Sequence, residues 1–212
     1  MDDNKIVISI GRRYGSGGRE IGRKLAELFN IDFYDKELIT LAAKQSGFSE
    51  EILKENDENH NGSFLYSLVM GTYTGGNNLP LNHKLFLAQF DTIKMLAEEK
   101  SCVIIGRCSS HMFRNYEKHV SIFLHADMNS RMERLKRTLK KDNLGEKNVN
   151  DLEKSDRRRA QYYNTFTGKK WLDLRNYDFA LDTTPFSDKQ IEDILVNYIT
   201  ARFPELKQRA GL

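Results

Sequence analysis

The feature that most constrains this chain is the segment IVISIGRRYGSGGREIG at residues 6–22. An apolar run ends at Gly11, three glycines follow within residues 15–18, and an amphipathic segment comes next. Glycines let the backbone reach positive φ and approach a ligand closely. The first turn of a helix offers unpaired N–H groups to an anion. This order predicts a strand at about 5–10, a phosphate-binding turn, and a helix at about 18–29.

The turn departs from the phosphate-binding pattern GxxxxGK[ST], in which Lys reaches the terminal phosphates and Ser or Thr binds Mg²⁺. With Gly17 matched to the second glycine, Gly18 stands in place of the Lys and Arg19 in place of the hydroxyl residue. Arg12, Arg13 and Arg19 are the nearby residues available to supply positive charge. The turn alone leaves a second interpretation open, a tight strand-to-helix connection that binds nothing.

Composition favours a soluble globular protein of one cored domain with an insertion, or of two small domains. The 212 residues are 30% charged and 39% hydrophobic, and the formal net charge of +3 is too small for a chain built to coat nucleic acid. Basic residues cluster at 131–141 and 157–159. Such runs are either solvated helix faces or phosphate clamps.

No apolar run is long enough to span a membrane, and MDDNK leads directly into the first strand without a signal peptide. We therefore expect a cytoplasmic protein with no membrane partner. Cys102 and Cys108 flank one short strand and are expected to be ordinary thiols. The histidines are scattered without the spacing of metal ligands, so we expect no metal site built from side chains.

Short apolar strands alternate with helices along the rest of the chain. Further strands are predicted at 31–34, 102–106, 120–124 and 177–181, and further helices at about 86–97, 128–141, from near 151, and after a Ser187–Gln190 capping box. Continuous apolar strands favour a parallel sheet covered on both faces. Trp171 and Tyr177 are expected to pack in the core or at its rim. Residues 56–82 are rich in Asn and Gly and form either an inserted mobile region or a poorly ordered surface loop.

Ligands of such sheets bind beyond the carboxyl ends of the strands. We therefore expect the residues after the five strands to share one rim. They are residues 11–19, 35, 106–107, 125–127 and 182–184.

Five segments, taken in order, resemble the cytidylate kinase-like family of P-loop nucleoside monophosphate kinases. They are IGRRYGSGGREIG, IIGRCSSHMF at 104–113, FLHADMNSRMERL at 123–135, SDRRRAQYYNTFTGKKW at 155–171 and YDFALDTTPFSDKQIEDIL at 177–195. The resemblance implies a three-layer α/β fold with a five-stranded parallel sheet in a single domain. It implies a core of 1–35, 84–141 and 165–212, an acceptor-binding insertion at about 36–83 and a lid at about 142–164.

The resemblance also implies phosphoryl transfer from ATP, with Mg²⁺, to a nucleoside monophosphate, CMP or dCMP being the best candidates. The implied ATP-binding residues are Gly15, Ser16, Gly17, Gly18, Arg19, Thr183 and Thr184. The implied acceptor-binding residues are Asp35, Arg107 and Arg131, and the implied catalytic residues are Arg19, Arg134, Arg157 and Arg159. Mg²⁺ would be held mainly by phosphates and water, which it retains readily.

A set of arginines suits this chemistry, because phosphoryl transfer needs positioned anions and neutralised charge more than covalent help. Guanidinium groups bind phosphate oxygens in pairs and stay charged. Some of these residues have simpler alternatives: Arg107 as a helix cap or a partner of Asp127, and Asp35 as a helix cap. The arginines at 157–159 cannot all face one way on a helix.

The departures from the family leave other functions open. Cys108 stands where the familiar enzymes carry Asp after the Gly-Arg pair, so the base selectivity is open. The acceptor is then another nucleotide or a different small metabolite, or, given the missing Lys, the protein is a regulatory nucleotide binder without turnover. A nucleic-acid module built on 131–141 is a third interpretation. We expect ATP and a small phosphorylated acceptor as partners, and no nucleic acid.

Overall fold

The computed structural model describes residues 5–35, 81–141 and 148–211. The chain divides into two compact units, one formed by residues up to Asp35 and from Ala97 onward, and one formed by residues 36–96. In the second unit the described part is a stretch of one helix. Most of the predicted acceptor-binding insertion, including all of 56–80, lies outside the described residues, as do 142–147 of the predicted lid.

Five strands and seven helices are described. The strands are β1 (Val7–Arg12), β2 (Asp32–Tyr34), β3 (Cys102–Ile105), β4 (His119–His125) and β5 (Phe179–Asp182). The helices are α1 (Gly18–Leu28), α2 (Leu81–Glu99), α3 (Ser109–Met112), α4 (Met128–Lys141), α5 (Val149–Thr167), α6 (Asp188–Arg202) and α7 (Glu205–Ala210), and a 3₁₀ turn spans Leu174–Asn176. All five predicted strands are present, each with bounds within about two residues of the prediction.

The strands form one parallel sheet in the order β2-β3-β1-β4-β5. Ile8 in the central strand pairs with Val103 on one side and Val120 on the other. The predicted fold class, a three-layer α/β arrangement around a five-stranded parallel sheet, is confirmed. Because every pairing is parallel, the carboxyl ends of all five strands lie at the same edge of the sheet.

One face of the sheet packs against α1, α6 and α7. Its buried side chains, with those of the helices, include Ile8, Ile10, Val103, Ile122, Leu25, Ile191, Leu195 and Leu206. A Cβ at Gly22 would lie 2.6 Å from Ile105 Cδ1, so this glycine lets α1 approach the sheet closely. Each fully buried aliphatic side chain contributes about 1.5–3 kcal/mol, which makes this layer the main source of stability.

On the opposite face of the sheet, Phe123 packs against two aromatic side chains that flank the 3₁₀ turn, and Tyr163 of α5 lies beside one of them. The Phe123 ring lies 5.5 Å from the Trp171 ring and 4.7 Å from the Tyr177 ring. The Tyr177 hydroxyl donates to the Trp171 carbonyl at 2.9 Å, and burial raises the pKa of Tyr177. Both aromatic residues are core residues, as the sequence predicts. No helix in the described part of the chain has the length and hydropathy of a membrane span.

A buried polar pair also lies on this second face. The His119 Nε2 atom is 3.0 Å from Ser9 Oγ on the neighbouring central strand. Burial lowers the pKa of His119 from 6.5 to about 4, while Asp178 acts to raise the pKa and Arg202 to lower it. The imidazole is therefore neutral in the folded protein at neutral pH.

His119 should make stability fall as the solution becomes acidic. Between pH 6.5 and pH 4 the unfolded chain binds a proton at this histidine that the folded chain does not. Stability is therefore full above the ordinary pKa and decreases as the pH drops towards the folded one. Urea unfolding at pH 7 and pH 4.5 should show that the wild type loses about 2 kcal/mol more than His119→Gln. An equal loss in both proteins would contradict the prediction.

Candidate active site

The connection from β1 to α1, residues 13–17, is here called the phosphate loop. Gly15 and Gly17 have φ values of +81° and +87°, in the left-handed region that side chains disfavour. A Cβ at Gly15 would also lie 2.8 Å from the Arg131 carbonyl oxygen. The sequence therefore places glycine at the two loop positions where the backbone requires it.

Side-chain donors inside the protein bind the carbonyl groups of this region. The carbonyl oxygens of Arg12, Arg13, Tyr14 and Ser16 accept from Arg159 Nη1 (3.1 Å), Ser16 Oγ (2.9 Å), Arg131 Nε (2.6 Å) and Thr183 Oγ1 (3.2 Å). In a trans peptide the C=O and N–H groups point in opposite directions. The bonds to Tyr14 and Ser16 therefore turn the N–H groups of Gly15 and Gly17 away from the interior donors.

The N–H groups of Gly15, Gly17, Gly18 and Arg19 have no hydrogen-bond acceptor among residues 5–35, 81–141 and 148–211. Those of Gly18 and Arg19 belong to the first turn of α1, where helical N–H groups have no intrahelical partner. The positive end of the helix dipole adds to them. Backbone amides grouped in this way at a helix start can bind an anion.

Two hydroxyl groups, those of Ser16 and Thr183, make hydrogen bonds with backbone carbonyls on the interior side of the phosphate loop. Ser16 is fully buried, and its Oγ lies 2.9 Å from the Arg13 carbonyl oxygen and 3.0 Å from that of Leu124. Thr183 Oγ1 lies 3.0 Å from the His125 carbonyl oxygen besides its contact with Ser16. Thr184 differs, since its Oγ1 accepts from the Asp127 N–H at 2.9 Å. Both threonines lie on the β4–β5 side of the loop.

Asp35 connects the end of β2 to the start of α1. Its Oδ2 accepts from Arg19 Nε at 2.5 Å, and its Oδ1 lies 3.9 Å from Arg12 Nη2. The carboxylate is almost fully buried, whereas the Arg19 side chain is about half exposed. The structure thus brings together two residues that the resemblance assigns to different substrates.

Arg134 of α4 lies against the loop at Gly17. A Cβ at Gly17 would lie 2.9 Å from Arg134 Nη1 and 3.0 Å from its Cζ. The guanidinium also forms an ion pair with Asp188 at the start of α6. A fixed cation therefore stands beside the helix start, in the loop that lacks the usual Lys.

Arg131, one turn earlier on α4, lies behind the loop. It is 1% exposed, and its Nη2 donates to Asp156 Oδ2 at 2.7 Å while its Nε donates to the Tyr14 carbonyl. Burial lowers the pKa of Arg131 and Asp156 raises it, and a guanidinium stays charged. In this structure Arg131 binds the loop itself, and acceptor binding by this residue stays a prediction.

The arginines of α5 diverge, as helix geometry requires. Arg159 donates to the Arg12 carbonyl and lies 5.2 Å from the centre of the Tyr14 ring. Arg157 pairs with Glu153 at 3.2 Å on the exposed side of the helix, where its side chain is 64% exposed. Of the two predicted catalytic arginines on α5, the structure places Arg159 at the loop and Arg157 in solvent.

Arg107 follows β3 in an uncommon backbone conformation. Gly106, Arg107 and Cys108 have consecutive φ values of +76°, +57° and +58°. A left-handed conformation costs roughly 1–2 kcal/mol for each residue that carries a side chain. The surrounding structure must hold this strain, and strained residues of this kind cluster at functional sites. The strand-end Gly-Arg pair in the sequence gives no sign of this backbone.

Two carboxylates that organise the arginines are not predicted from the sequence. Asp156 sits at a buried position of the otherwise amphipathic α5, and Asp188 begins α6 next to the predicted cap. The local sequence SDRRRA gives no sign that Asp156 is buried, because its partners Tyr14 and Arg131 lie far away along the chain. Among residues 5–35, 81–141 and 148–211, no three side chains of His, Cys, Asp or Glu converge as metal ligands.

Comparisons with known proteins agree with this geometry. Residues 7–185 match the model of the cytidylate kinase-like family. An uncharacterized protein from Eubacterium ventriosum, known from a crystal structure, is similar at 27% identity and a TM-score of 0.64, over 92% of this chain and 98% of that one. No curated protein sequence matches this chain.

More distant structures share the fold alone. A shikimate kinase from Bacteroides thetaiotaomicron has 12% identity and a TM-score of 0.50, over 98% of this chain and 99% of its own. The protein TT1252 from Thermus thermophilus has 14% identity and a TM-score of 0.52, over 93% and 97% of the two chains. The sheet and its helices therefore form a P-loop kinase fold.

Arg131→Met should destabilise the protein by about 3–5 kcal/mol, because it leaves the Asp156 carboxylate buried without its main partner. Arg157→Met is the matched control, since it breaks an exposed arginine–carboxylate pair and should cost about 1 kcal/mol or less. Urea unfolding at pH 7 measures both values. Equal free energies of unfolding for the two variants would contradict the buried role of Arg131.

Proposed function

The chain belongs to the cytidylate kinase-like family, and we propose that it transfers the terminal phosphoryl group of ATP to a nucleoside monophosphate. CMP and dCMP are the favoured acceptors, and the products are then ADP with CDP or dCDP. The observation that carries the proposal is the phosphate loop, whose outward amides have no acceptor within the described residues and stand beside Arg134. Family membership supports the phosphotransferase class. The choice of a nucleoside monophosphate as the acceptor is what we propose beyond it.

On the donor side, the phosphates of ATP would bind the amides of Gly15, Gly17, Gly18 and Arg19. Arg134 is the best candidate to replace the missing Lys, because it already lies beside Gly17 and Asp188 fixes its guanidinium there. Arg159 supplies a second cation at the loop. Mg²⁺ would be held mainly by the phosphates and by water, which it retains readily, and would supply positive charge to the transferring group.

On the acceptor side, we assign Arg107 and Asp35 to the nucleoside monophosphate. Arg107 follows β3 and Asp35 follows β2, so both stand on the same side of the central strand. A guanidinium pairs with phosphate oxygens in a bidentate way, and a carboxylate accepts hydrogen bonds from hydroxyl or amino groups. Arg19, which is paired with Asp35 at the start of α1, would lie between the two substrates and would neutralise charge on the transferring group.

The proposed reaction needs no further catalytic group from the protein. An oxygen of the acceptor phosphate attacks the γ-phosphorus of ATP, the bond to the bridging β–γ oxygen breaks, and ADP leaves with that oxygen. The acceptor phosphate is itself the nucleophile, so a strong base is unnecessary. Positioning two anions in line and neutralising their charge account for the catalysis.

Gly17→Ala should weaken the binding of ATP at least tenfold. The new methyl group would strain a left-handed backbone and meet the Arg134 guanidinium, which would move away from the loop. Gly168→Ala is the matched control, because Gly168 also has a positive φ, +67°, but a Cβ added there would meet no atom within 4 Å. Calorimetric titration with ATP and Mg²⁺ compares the two. Equal affinities would place the triphosphate elsewhere.

Arg107→Ala should raise the KM of the acceptor at least tenfold and leave the KM of ATP within about twofold, since one phosphate contact is lost on the acceptor side alone. Arg114→Ala, an exposed arginine of the same connection, is the control. Coupled ADP release is measured with CMP, dCMP, UMP, AMP and shikimate. Turnover of shikimate without turnover of any nucleotide would reject the proposed acceptor class, and equal effects on both KM values would reject the role of Arg107.

A further inference from the structure

We propose that Asp156 of α5 is a positioning residue that sets the direction of the phosphate-loop amides. It acts through two groups that it binds, the Tyr14 N–H and the Arg131 guanidinium. This inference rests on the proposed function, because it concerns the loop that would hold the triphosphate.

The contacts of Asp156 are short and buried. Oδ1 accepts from the Tyr14 N–H at 2.7 Å, and Oδ2 accepts from Arg131 Nη2 at 2.7 Å. Oδ2 also lies 3.4 Å from Arg13 Nε. Asp156 is 7% exposed and Arg131 is 1% exposed. One carboxylate thus orients a backbone amide of the loop and the cation that stands behind it.

Asp156 and Arg131 together bind both backbone polar groups of Tyr14. Asp156 accepts the Tyr14 N–H, and Arg131 donates through Nε to the Tyr14 carbonyl at 2.6 Å. The second bond fixes the plane of the Tyr14–Gly15 peptide and so directs the Gly15 N–H outward. Without Asp156, Arg131 keeps the hydrogen bond from its Nε to the Tyr14 carbonyl but loses the carboxylate that orients its guanidinium group. The predicted defect is therefore in loop geometry.

Apolar packing connects α5 to the same place. Leu152 of α5 is fully buried against Leu135 of α4, and the Tyr14 side chain packs on this cluster. Arg159 adds a further bond from α5 to the loop, at the Arg12 carbonyl. The Asp156 carboxylate is therefore held rigidly enough to define where Tyr14 sits. A misplacement of about 1 Å in such a site can cost about a hundredfold in activity.

Asp156→Asn tests the inference with little change in volume. The side-chain amide can still accept from Tyr14 but offers Arg131 an NH₂ group where Oδ2 was. The Kd of AMP-PNP with Mg²⁺, measured by calorimetry, should rise about tenfold or more. The KM of the acceptor should stay within twofold. Glu153→Gln, one turn earlier and exposed, is the matched control and should leave both values unchanged.

A double variant separates positioning from folding. Asp156→Leu with Arg131→Met removes both buried charges together, so neither is left unpaired and the fold is expected to persist. Its melting transition should stay cooperative, with a midpoint above that of Arg131→Met alone, because no buried charge is left without its partner. Its affinity for AMP-PNP should be at least tenfold lower than that of wild type, because both backbone groups of Tyr14 have lost their partners. If Asp156→Asn does not give a cooperative melting transition, the double variant alone tests the positioning role of Asp156.

The outcomes distinguish the two proposals. Wild-type affinity for AMP-PNP in Asp156→Asn or in the double variant would overturn the positioning role and leave the kinase proposal standing. Failure of the wild-type protein to bind AMP-PNP would overturn the proposed function, and this inference with it. Loss of AMP-PNP affinity in both variants, with an unchanged acceptor KM in Asp156→Asn, would support it.

Discussion

The candidate site depends on the hydrogen bonds that fix the peptide planes of the phosphate loop. Arg131 binds the Tyr14 carbonyl and Thr183 approaches the Ser16 carbonyl, so the amides that follow, at Gly15 and Gly17, face away from those donors. An amide already oriented for an anion needs no rearrangement when the anion arrives, which is the condition for strong electrostatic stabilisation. The loop owes this preorganisation to side chains from α4 and from the end of β5, elements far from it in sequence.

Carboxylates near the loop determine where its arginines stand. Asp35 holds Arg19, Asp156 holds Arg131, and Asp188 holds Arg134. An arginine is long and flexible, and an ordered one loses side-chain entropy on folding. Pairing with a carboxylate restricts that freedom before any ligand binds. Such an arrangement holds a cation from α4 beside a loop whose own sequence carries glycine where lysine is usual.

The fold could be predicted from sequence because its signals are local. Continuous apolar runs indicated the five strands, and the Ser187–Gln190 capping box starts α6 as expected. The site was harder to predict from the sequence, because the burial of Arg131 and the left-handed backbone at Arg107 arise from tertiary packing. The four-residue α3 and the six-residue α7 are too short to show periodicity. Asp156 looks like an ordinary polar residue until its partners across the fold are known.

The strand order divides the rim into two halves around β1. The ends of β3 and β2, with Arg107 and Asp35, lie on one side, and the ends of β4 and β5, with Asp127 and Thr183, lie on the other. The two halves are not independent, because the Asp35 carboxylate pairs with Arg19 at the start of α1 and also lies near Arg12 of the central strand. A substitution at Asp35 would therefore reach the phosphate loop through Arg19, so an engineer who altered this half of the rim would have to preserve that ion pair.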